Sequence, residues 1–294
     1  MADAGKTLRI LREAAMLLRA TKGRRGTVAY LDDAEDVLVA GDLHGNIENF
    51  RLVLKRADLD KHPARHLVLQ EFVHGAGRYA NGGCTSHQLL DLVAALKCQY
   101  PHRVHLLLGN HELAEWTGRA VSKAGIAMNA LFLEGVQGAY GTRSDEVYAA
   151  YCQLFSSMLL AARTPNRVFM AHSIPPGRVL DRFDYAIFEQ PGIANEKHGP
   201  DSSVYQLVWG RDVSEDTSQR FAQAVGASLL VTGHIPAEQG YSIPNQRQLI
   251  VDCVGPSAAC VLFPARIPLV LDQLLAGIHK LRGNPEHQSH PKDH

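Results

Sequence analysis

The sequence has few cysteines, no excess of charge of either sign and no long apolar run. Its five cysteines form no Cys-x-x-Cys pair, which argues against a zinc knuckle or a thioredoxin-like redox site and favours reduced thiols in a cytoplasmic protein. The 30 basic and 30 acidic residues cancel, so no long-range field attracts the chain to nucleic acid or to a membrane surface. Because an apolar stretch of about 18 residues and an apolar signal core are both missing, we expect neither membrane insertion nor secretion.

The rest of the composition is typical of a globular chain. Apolar residues make up 46% and charged residues 20% of the 294 residues, which is enough to build a sizeable core. Leucines and alanines recur at helical spacing over residues 6–20, and this pattern predicts an amphipathic helix. We therefore expect an N-terminal helix and linker at residues 1–26, a single domain at 27–282, and a polar, disordered tail at 283–294.

Short β-rich runs alternate with helix-period stretches through most of the chain. The runs predicted to be strands are residues 37–40, 66–69, 104–108, 168–171 and 229–232, and the stretches predicted to be helices are 47–57, 86–98, 145–162 and 214–225. This alternation predicts an α/β fold whose continuously apolar strands are buried on both faces. Two further runs, 249–254 and 258–263, are separated by Gly255 and Pro256 and predict a hairpin in a second, more antiparallel sheet.

Polar clusters follow five of the predicted strands, and several of the 15 histidines lie in them. In open α/β sheets, ligands bind in the crevice at the carboxyl ends of the strands. These ends offer carboxylate, amide and imidazole groups, which are metal ligands. The clusters are Gly41-Asp42-Leu43-His44-Gly45-Asn46, Gln70-Glu71, Gly109-Asn110-His111-Glu112, His172 and Gly233-His234.

The series GDLHGN, GNHE, AHSIPP and TGHIP over roughly residues 37–252 resembles the metallophosphoesterase superfamily. Within it, the closest resemblance is to the Ser/Thr phosphoprotein phosphatase branch, whose signatures are GDxHG, GDxxDRG and GNHE. The resemblance implies a two-sheet β-sandwich flanked by helices (αββα), with residues 27–282 as the catalytic domain. It also implies a metal-dependent phosphoester hydrolase.

The same resemblance implies a centre of two divalent metal ions, with Mn²⁺ as the first choice and Fe or Zn²⁺ as alternatives. Asp42 and His44 would hold one ion, and Glu71 would bridge the pair in place of the family's Asp. His111 would be the catalytic general acid that protonates the leaving alkoxide. The ligands implied for the second ion are Asn110, His172 and His234.

The second signature departs from the family, because the chain reads Gln70-Glu71-Phe72-Val73-His74-Gly75 where GDxxDRG is expected. His74 replaces the Asp that orients the catalytic His, and Glu112 is one carboxylate that could substitute for it.

The phosphate-binding Arg of this signature is replaced by Gly75. Arg78 in the following Gly-rich loop and Arg211 are the candidates for phosphate binding. The alternatives are a solvated loop arginine at 78 and a salt bridge from Arg211 to Asp212.

These patterns favour hydrolysis of a phosphomonoester, with a phosphoserine or phosphothreonine protein as the first-choice substrate. A dinucleoside polyphosphate hydrolase is the second enzyme hypothesis, since that related activity uses the same metal centre. A non-catalytic pseudophosphatase that only binds metal or phosphate is the third. The expected partner is a phosphorylated protein or small molecule, not nucleic acid or a membrane, and the sequence leaves the oligomeric state open.

Overall fold

A computed structural model describes residues 2–123, 125–193 and 198–282, so the predicted disordered tail lies outside the described residues. The α-helices are α1 (Ala4–Arg19), α2 (Ile47–Ala57), α3 (His87–Gln99), α4 (Asn110–Thr117), α5 (Met128–Tyr140), α6 (Ser144–Phe155), α7 (Ser203–Trp209), α8 (Glu215–Ala224) and α9 (Leu271–Leu275). The strands are β1 (Arg24–Arg25), β2 (Val28–Tyr30), β3 (Asp36–Asp42), β4 (Arg65–Gln70), β5 (Val104–Leu107), β6 (Ser122–Lys123), β7 (Ile126–Ala127), β8 (Ala161–Arg163), β9 (Val168–Ala171), β10 (Leu229–Thr232), β11 (Tyr241–Ser242), β12 (Gln248–Val251), β13 (Ala259–Pro264) and β14 (Ile278–Lys280).

The strands form two main sheets. One has five strands in the order β14-β13-β3-β4-β5, in which β3, β4 and β5 are parallel and β13 and β14 are antiparallel to their neighbours. The other has seven strands in the order β1-β2-β8-β9-β10-β12-β11, with β9, β10 and β12 parallel. The small hairpin β6-β7 stands apart from both sheets. The parallel strands of each sheet therefore bring several carboxyl ends to one edge.

The two sheets pack face to face, and helices cover their outer faces. Along β3, Val37 and Val39 point into the core between the sheets, whereas Leu38 and Ala40 belong to the core beneath the helices. This period of two, with both faces buried, explains why the strand is continuously apolar. The predicted αββα architecture is confirmed.

Helix α1 is part of the main core. Asp3 caps its N-terminus by accepting a hydrogen bond from the backbone N–H of Lys6, and Leu8, Leu11 and Leu18 are buried. The helix packs on α3 and α6. The apolar face of this amphipathic helix is therefore buried by packing against other helices, which stabilises the helix. Within the described residues, no helix combines the length and the apolarity needed to cross a bilayer.

Two predictions of local structure are wrong. The helix predicted at 145–162 ends at Phe155, and Ala161–Arg163 is a strand that pairs with β9 and β2. The prediction runs too far because the apolar residues after Phe155 happen to continue the helical spacing. The hairpin predicted at 249–254 and 258–263 does not form. β12 lies beside β10 in the seven-stranded sheet and β13 beside β3 in the five-stranded sheet, so the chain crosses between sheets at this point. Local alternation identifies a strand but not its partner.

Candidate metal centre

The predicted ligands converge at the edge where the strand ends of both sheets meet. An isolated parallel bridge between Asp42 and Asp252 joins β3 to the end of β12 at this point. A cavity of about 570 Å³ opens there. The predicted site residues that line it are Asp42, His44, Glu71, Asn110, His111, Arg211 and His234. His172 lies beneath them and is completely buried.

His172 is the centre of one group of potential ligands. Its Nε2 lies 2.7 Å from Oε2 of Glu71, 3.0 Å from Oδ1 of Asn110 and 3.2 Å from Nδ1 of His234. Its other nitrogen, Nδ1, is 2.9 Å from Oε1 of Gln70, so Nδ1 carries the proton and donates it to that oxygen. A histidine whose second nitrogen is held in this way presents a lone pair to a metal ion.

Glu71 is shared by two such groups. Its carboxylate lies within 4.8 Å of ligand atoms of His172 and His234 on one side, and of His44 and His111 on the other. Nδ1 of His44 is 2.7 Å from the carbonyl oxygen of Val73, to which it donates, and this leaves Nε2 as its ligand atom. A carboxylate between two sets of donors has the arrangement of a bridging ligand.

Asp42 lies beside the His172 group. Its two carboxylate oxygens accept the backbone N–H of His234 at 3.0 and 3.1 Å, and Oδ1 lies 3.8 Å from Nδ1 of His172. Gly233 makes this approach possible, because a Cβ at that position would lie 2.4 Å from Oδ1 of Asp42. Glycine is therefore required where the backbone of β10 passes the carboxylate.

The site holds much of the unusual backbone of the described chain. Six non-glycine residues of the described chain have positive φ, and four of them line the cavity: His44 (40°), Glu71 (50°), His74 (61°) and His234 (66°). Such left-handed conformations cost about 1–3 kcal/mol each and persist only where the surrounding packing imposes them. The strain is concentrated on residues that present side chains to the cavity.

Burial and mutual charge shift the ionisation of these groups. Burial, together with the charge of Glu71, raises the pKa of Asp42 to about 6 although His172 opposes the change. Burial alone would raise the pKa of Glu71 and lower that of His172, but their contact reverses both effects, so the pKa of Glu71 is lowered and that of His172 is raised to about 9. A buried cluster of this kind is typical of a functional site.

The donor set fits divalent metal ions. Among the buried side-chain atoms of the described residues that lack an aligned hydrogen bond are Oε2 of Glu71 and Nε2 of His234. Oε2 of Glu71 has His172 nearby at 2.7 Å, but the contact lacks hydrogen-bond alignment. Leaving such groups unpaired is costly, and a cation among carboxylate, amide and imidazole donors would satisfy them. This mixture suits Mn²⁺, Fe or Zn²⁺.

The partner of His111 is one that sequence reasoning missed. Nδ1 of His111 lies 2.5 Å from Nδ1 of His74, whose Nε2 lies 2.6 Å from Oε1 of Glu115. The suggestion that Glu112 replaces the family's Asp is wrong, because Oε1 of Glu112 accepts the backbone N–H groups of Phe72 and Val73 instead. The available signal was the spacing of His111 and Glu115, four residues apart on one face of α4.

Burial also shifts the pKa values of two neighbours on α4, His111 and Glu112. Burial lowers the pKa of His111 to about 3, and the carboxylate of Glu71 acts in the opposite direction. Burial likewise raises the pKa of Glu112 to about 7, with a further contribution from Glu71. The protonated form of His111 therefore depends on nearby negative groups.

The two candidate arginines are placed differently. Arg211 is exposed and lines the cavity, while Asp212 bonds to the backbone N–H groups of Gly177 and Ser214 rather than to this arginine. Arg78 does not line the cavity, because its Nη1 donates to the carbonyl oxygens of Gly75 and Gly77 in its own loop. Of the two candidate arginines, Arg211 alone therefore lines the cavity with the candidate ligands.

The cavity wall also contains residues that the sequence did not single out. Val121, Ser122 and Lys123, at and just before β6, line one side, and Trp209 lines another. Lys123 adds a second cation to a cavity that already contains Arg211. The cavity lining therefore mixes cationic and apolar side chains with further acidic ones, Glu238 and Asp252.

Comparisons with known proteins agree with this geometry. Residues 36–238 match the family of calcineurin-like phosphoesterases. A probable serine/threonine-protein phosphatase of Encephalitozoon cuniculi is 24% identical over 263 residues, covering 81% of this chain and 52% of that protein. Serine/threonine-protein phosphatase 5 of Solanum lycopersicum is 25% identical over 242 residues, covering 74% of this chain and 38% of that protein.

A solved structure shows the same fold. It is a protein serine/threonine phosphatase from Saccharomyces cerevisiae with similarity to human phosphatase PP5, and it superposes with a TM-score of 0.69 at 18% identity over 89% of this chain and 82% of that chain. The chain spans 52% and 38% of the lengths of the two curated relatives. Because the family match covers more than half of its residues, the chain belongs to the calcineurin-like phosphoesterase family.

Proposed function

We propose that this protein hydrolyses phosphomonoesters at a pair of divalent metal ions, and that a phosphoserine or phosphothreonine protein is its first-choice substrate. The observation that carries the proposal is the position of Glu71, whose carboxylate belongs to both groups of potential ligands. One shared carboxylate between two donor sets is what a two-ion clamp requires.

In this proposal Asp42 and His44 would hold one ion, Asn110, His172 and His234 would hold the other, and Glu71 would contribute to both. Mn²⁺ is the first choice, and the donor set also admits Fe and Zn²⁺. Two such ions would supply Lewis acidity, which stabilises charge on phosphoryl oxygens and lowers the pKa of bound water. Gln70 and the carbonyl of Val73 support the site by fixing the tautomers of His172 and His44.

The remaining residues bind and orient the phosphoester. Arg211 lines the cavity without a bond to Asp212, so its planar guanidinium is available to donate two parallel hydrogen bonds to phosphate oxygens. His111 lies in the same group as His44 and lines the cavity, where its ring can deliver a proton to the departing oxygen. Trp209, at the cavity wall, limits the access of water to these groups.

The choice of substrate follows from the relatives, whose names describe serine/threonine phosphatases. A dinucleoside polyphosphate would require the cavity to hold a nucleoside as well as the phosphates. A phosphorylated protein needs only its modified side chain to enter. The cytoplasmic location expected from the cysteine usage stays a prediction.

The test combines metal analysis with side-by-side assays. We expect two Mn²⁺ ions per chain at saturation and dominant turnover of a phosphothreonine peptide over a dinucleoside tetraphosphate. Dominant turnover of the dinucleotide would refute the proposed substrate but keep the proposed chemistry. Fewer than two ions per chain, with neither substrate hydrolysed, would indicate a binding module.

A further inference from the structure

Three hydrogen bonds in series connect two cavity-lining histidines, His111 and His74, to Glu115 and Tyr148. His111 meets His74 at 2.5 Å, His74 meets Glu115 at 2.6 Å, and the hydroxyl of Tyr148 donates to the other oxygen of Glu115 at 2.6 Å. The side chains of His74 and Glu115 are fully buried, with 0% of their surface exposed. The series therefore joins α4, the loop after β4 and α6, and its two central side chains, His74 and Glu115, are shielded from water.

The direction of these hydrogen bonds follows from the donors available. The carboxylate of Glu115 only accepts, and it is already bonded to the hydroxyl of Tyr148, so Nε2 of His74 donates to it. Nδ1 of His74 then carries the lone pair and accepts from Nδ1–H of His111. This arrangement fixes the proton of His111 on Nδ1 and leaves its Nε2 for the substrate.

We propose that His74 and Glu115 are positioning residues, which hold His111 by its Nδ1 proton and so direct its Nε2 toward the oxygen of the leaving group. The inference rests on the proposed phosphoesterase function and adds the residues that make its proton donor effective. The carboxylate that orients His111 comes from the helix carrying His111 itself, with His74 inserted between them.

This arrangement has a physical consequence for catalysis. An imidazole held at one nitrogen loses most of its freedom to rotate, and reaction rates are sensitive to small misplacements of a proton donor. This effect matters most when the leaving oxygen is strongly basic.

The experiment compares two substrates of different leaving-group basicity on the Mn²⁺-loaded full chain. In His74→Asn and Glu115→Gln, we expect kcat for a phosphothreonine peptide to fall by about 100-fold or more, the range of general acid catalysis. The kcat for p-nitrophenyl phosphate, whose leaving group needs no proton, should fall far less, and KM should change little for either substrate. Tyr148→Phe, which keeps the carboxylate, should give a smaller loss.

A mutant cycle separates positioning from a structural role. If His74 acts only through His111, adding His74→Asn to His111→Ala should cause no further loss of peptide turnover. His105→Asn is the matched control, since His105 is a buried histidine bonded to His66 and does not line the cavity. Equal losses on both substrates, or additive losses in the cycle, would overturn the proposal.

A readout that does not depend on turnover keeps this inference separate from the proposed function. Proton NMR of the wild-type chain should show a far-downfield imidazole N–H signal, which disappears in His74→Asn and moves upfield in Glu115→Gln but persists in His105→Asn. Absence of the signal would refute the hydrogen-bond chain. A wild-type protein that shows the signal but hydrolyses no phosphoester would refute the proposed function instead.

Discussion

Oε2 of Glu71 lies 2.7 Å from Nε2 of His172, although the two residues are 101 positions apart in the chain and lie after strands of different sheets. Oε1 of the same carboxylate accepts the backbone N–H of His111 at 2.9 Å. Glu71 stands where the related signature has Asp, and its longer side chain starts from a left-handed backbone with φ of 50°. Backbone and side chain together place this carboxylate between both ligand groups.

The first prediction concerns this carboxylate. Glu71→Gln keeps the size of the side chain but removes its charge, and we expect the affinity for Mn²⁺ to fall by at least about 10–100-fold, with fewer ions retained per chain. Isothermal titration and metal analysis measure both effects. Glu71→Asp should be intermediate, because it keeps the charge but is shorter by about 1.5 Å. Exposed Glu134→Gln is the control, and a Glu71→Gln protein that binds two ions normally would contradict the bridging role.

The second prediction distinguishes the two candidate phosphate ligands. Arg211→Ala should weaken inhibition by inorganic phosphate by about 10–100-fold, since a hydrogen bond to a charged group contributes about 1.5–3 kcal/mol. Arg78→Ala should leave the inhibition constant near the wild-type value because Arg78 bonds to its own loop. Arg51→Ala, an exposed arginine paired with Glu48, is the neutral control. Equal weakening in the Arg78 variant would show that this loop moves to meet phosphate.

The third prediction concerns the close approach of Gly233, directly after β10, to the carboxylate of Asp42. Gly233→Ala would put a methyl group 2.4 Å from Oδ1 of Asp42, so either the strand end or the carboxylate must shift. We expect a loss of about 1–3 kcal/mol in the free energy of unfolding together with weaker Mn²⁺ binding. Gly192→Ala is the matched control, because a Cβ there meets nothing within 4 Å. Denaturant unfolding with and without Mn²⁺ measures the difference.

The fourth prediction is that the fold loses stability in acid because of a histidine pair remote from the cavity. His66 and His105 are stacked and hydrogen-bonded at 3.0 Å. Burial lowers the pKa of His66 to about 4, with Asp33 opposing and Arg103 and Lys22 reinforcing the shift. Burial, reinforced by Lys97, also holds the pKa of His105 well below its usual range. Below pH about 6.5 the unfolded chain therefore takes up protons that the folded chain does not.

Stability should thus fall as pH decreases from about 6.5 toward 4, with a contribution from His66 of up to about 3 kcal/mol. Thermal unfolding followed at several pH values measures the slope. The double variant His66→Gln/His105→Gln should show a shallower decline, while His62→Gln at an exposed position should keep the wild-type slope. An unchanged slope in the double variant would show that other groups dominate acid unfolding.

The fifth prediction tests whether residues 27–282 form an autonomous catalytic domain. Leu8, Leu11 and Leu18 of α1 are 0–2% exposed, and burying three such side chains contributes roughly 5–9 kcal/mol, comparable with the whole stability of a typical domain. A chain lacking residues 1–26 should therefore be largely unfolded by circular dichroism. Met16→Gln, at an exposed position of the same helix, should melt near the wild-type temperature. A truncated chain that melts normally would establish the boundary expected from the sequence.

The sequence determined the elements and the order of the ligands. Continuous apolar runs such as Val168–Ala171 and Leu229–Thr232 were recognised as strands because burial on both faces removes polar positions, and the polar residue after each run marks the strand end. The groups Asp42, Asn110, His172 and His234 were identified in this way. The same reasoning fails at Ala161–Arg163. The apolar residues there continue the helical spacing of the preceding helix, but the segment pairs with other strands and is itself a strand.

Only the tertiary structure decided which of these groups meet. The pairing of β12 with β10 and of β13 with β3 depends on contacts between distant segments, which local alternation does not encode. His74 and Glu115 take the place of the Asp expected beside His111 only because the loop after β4 packs against α4. Residue type fixes what a side chain can donate or accept, but the partner that receives it is set by packing across the fold.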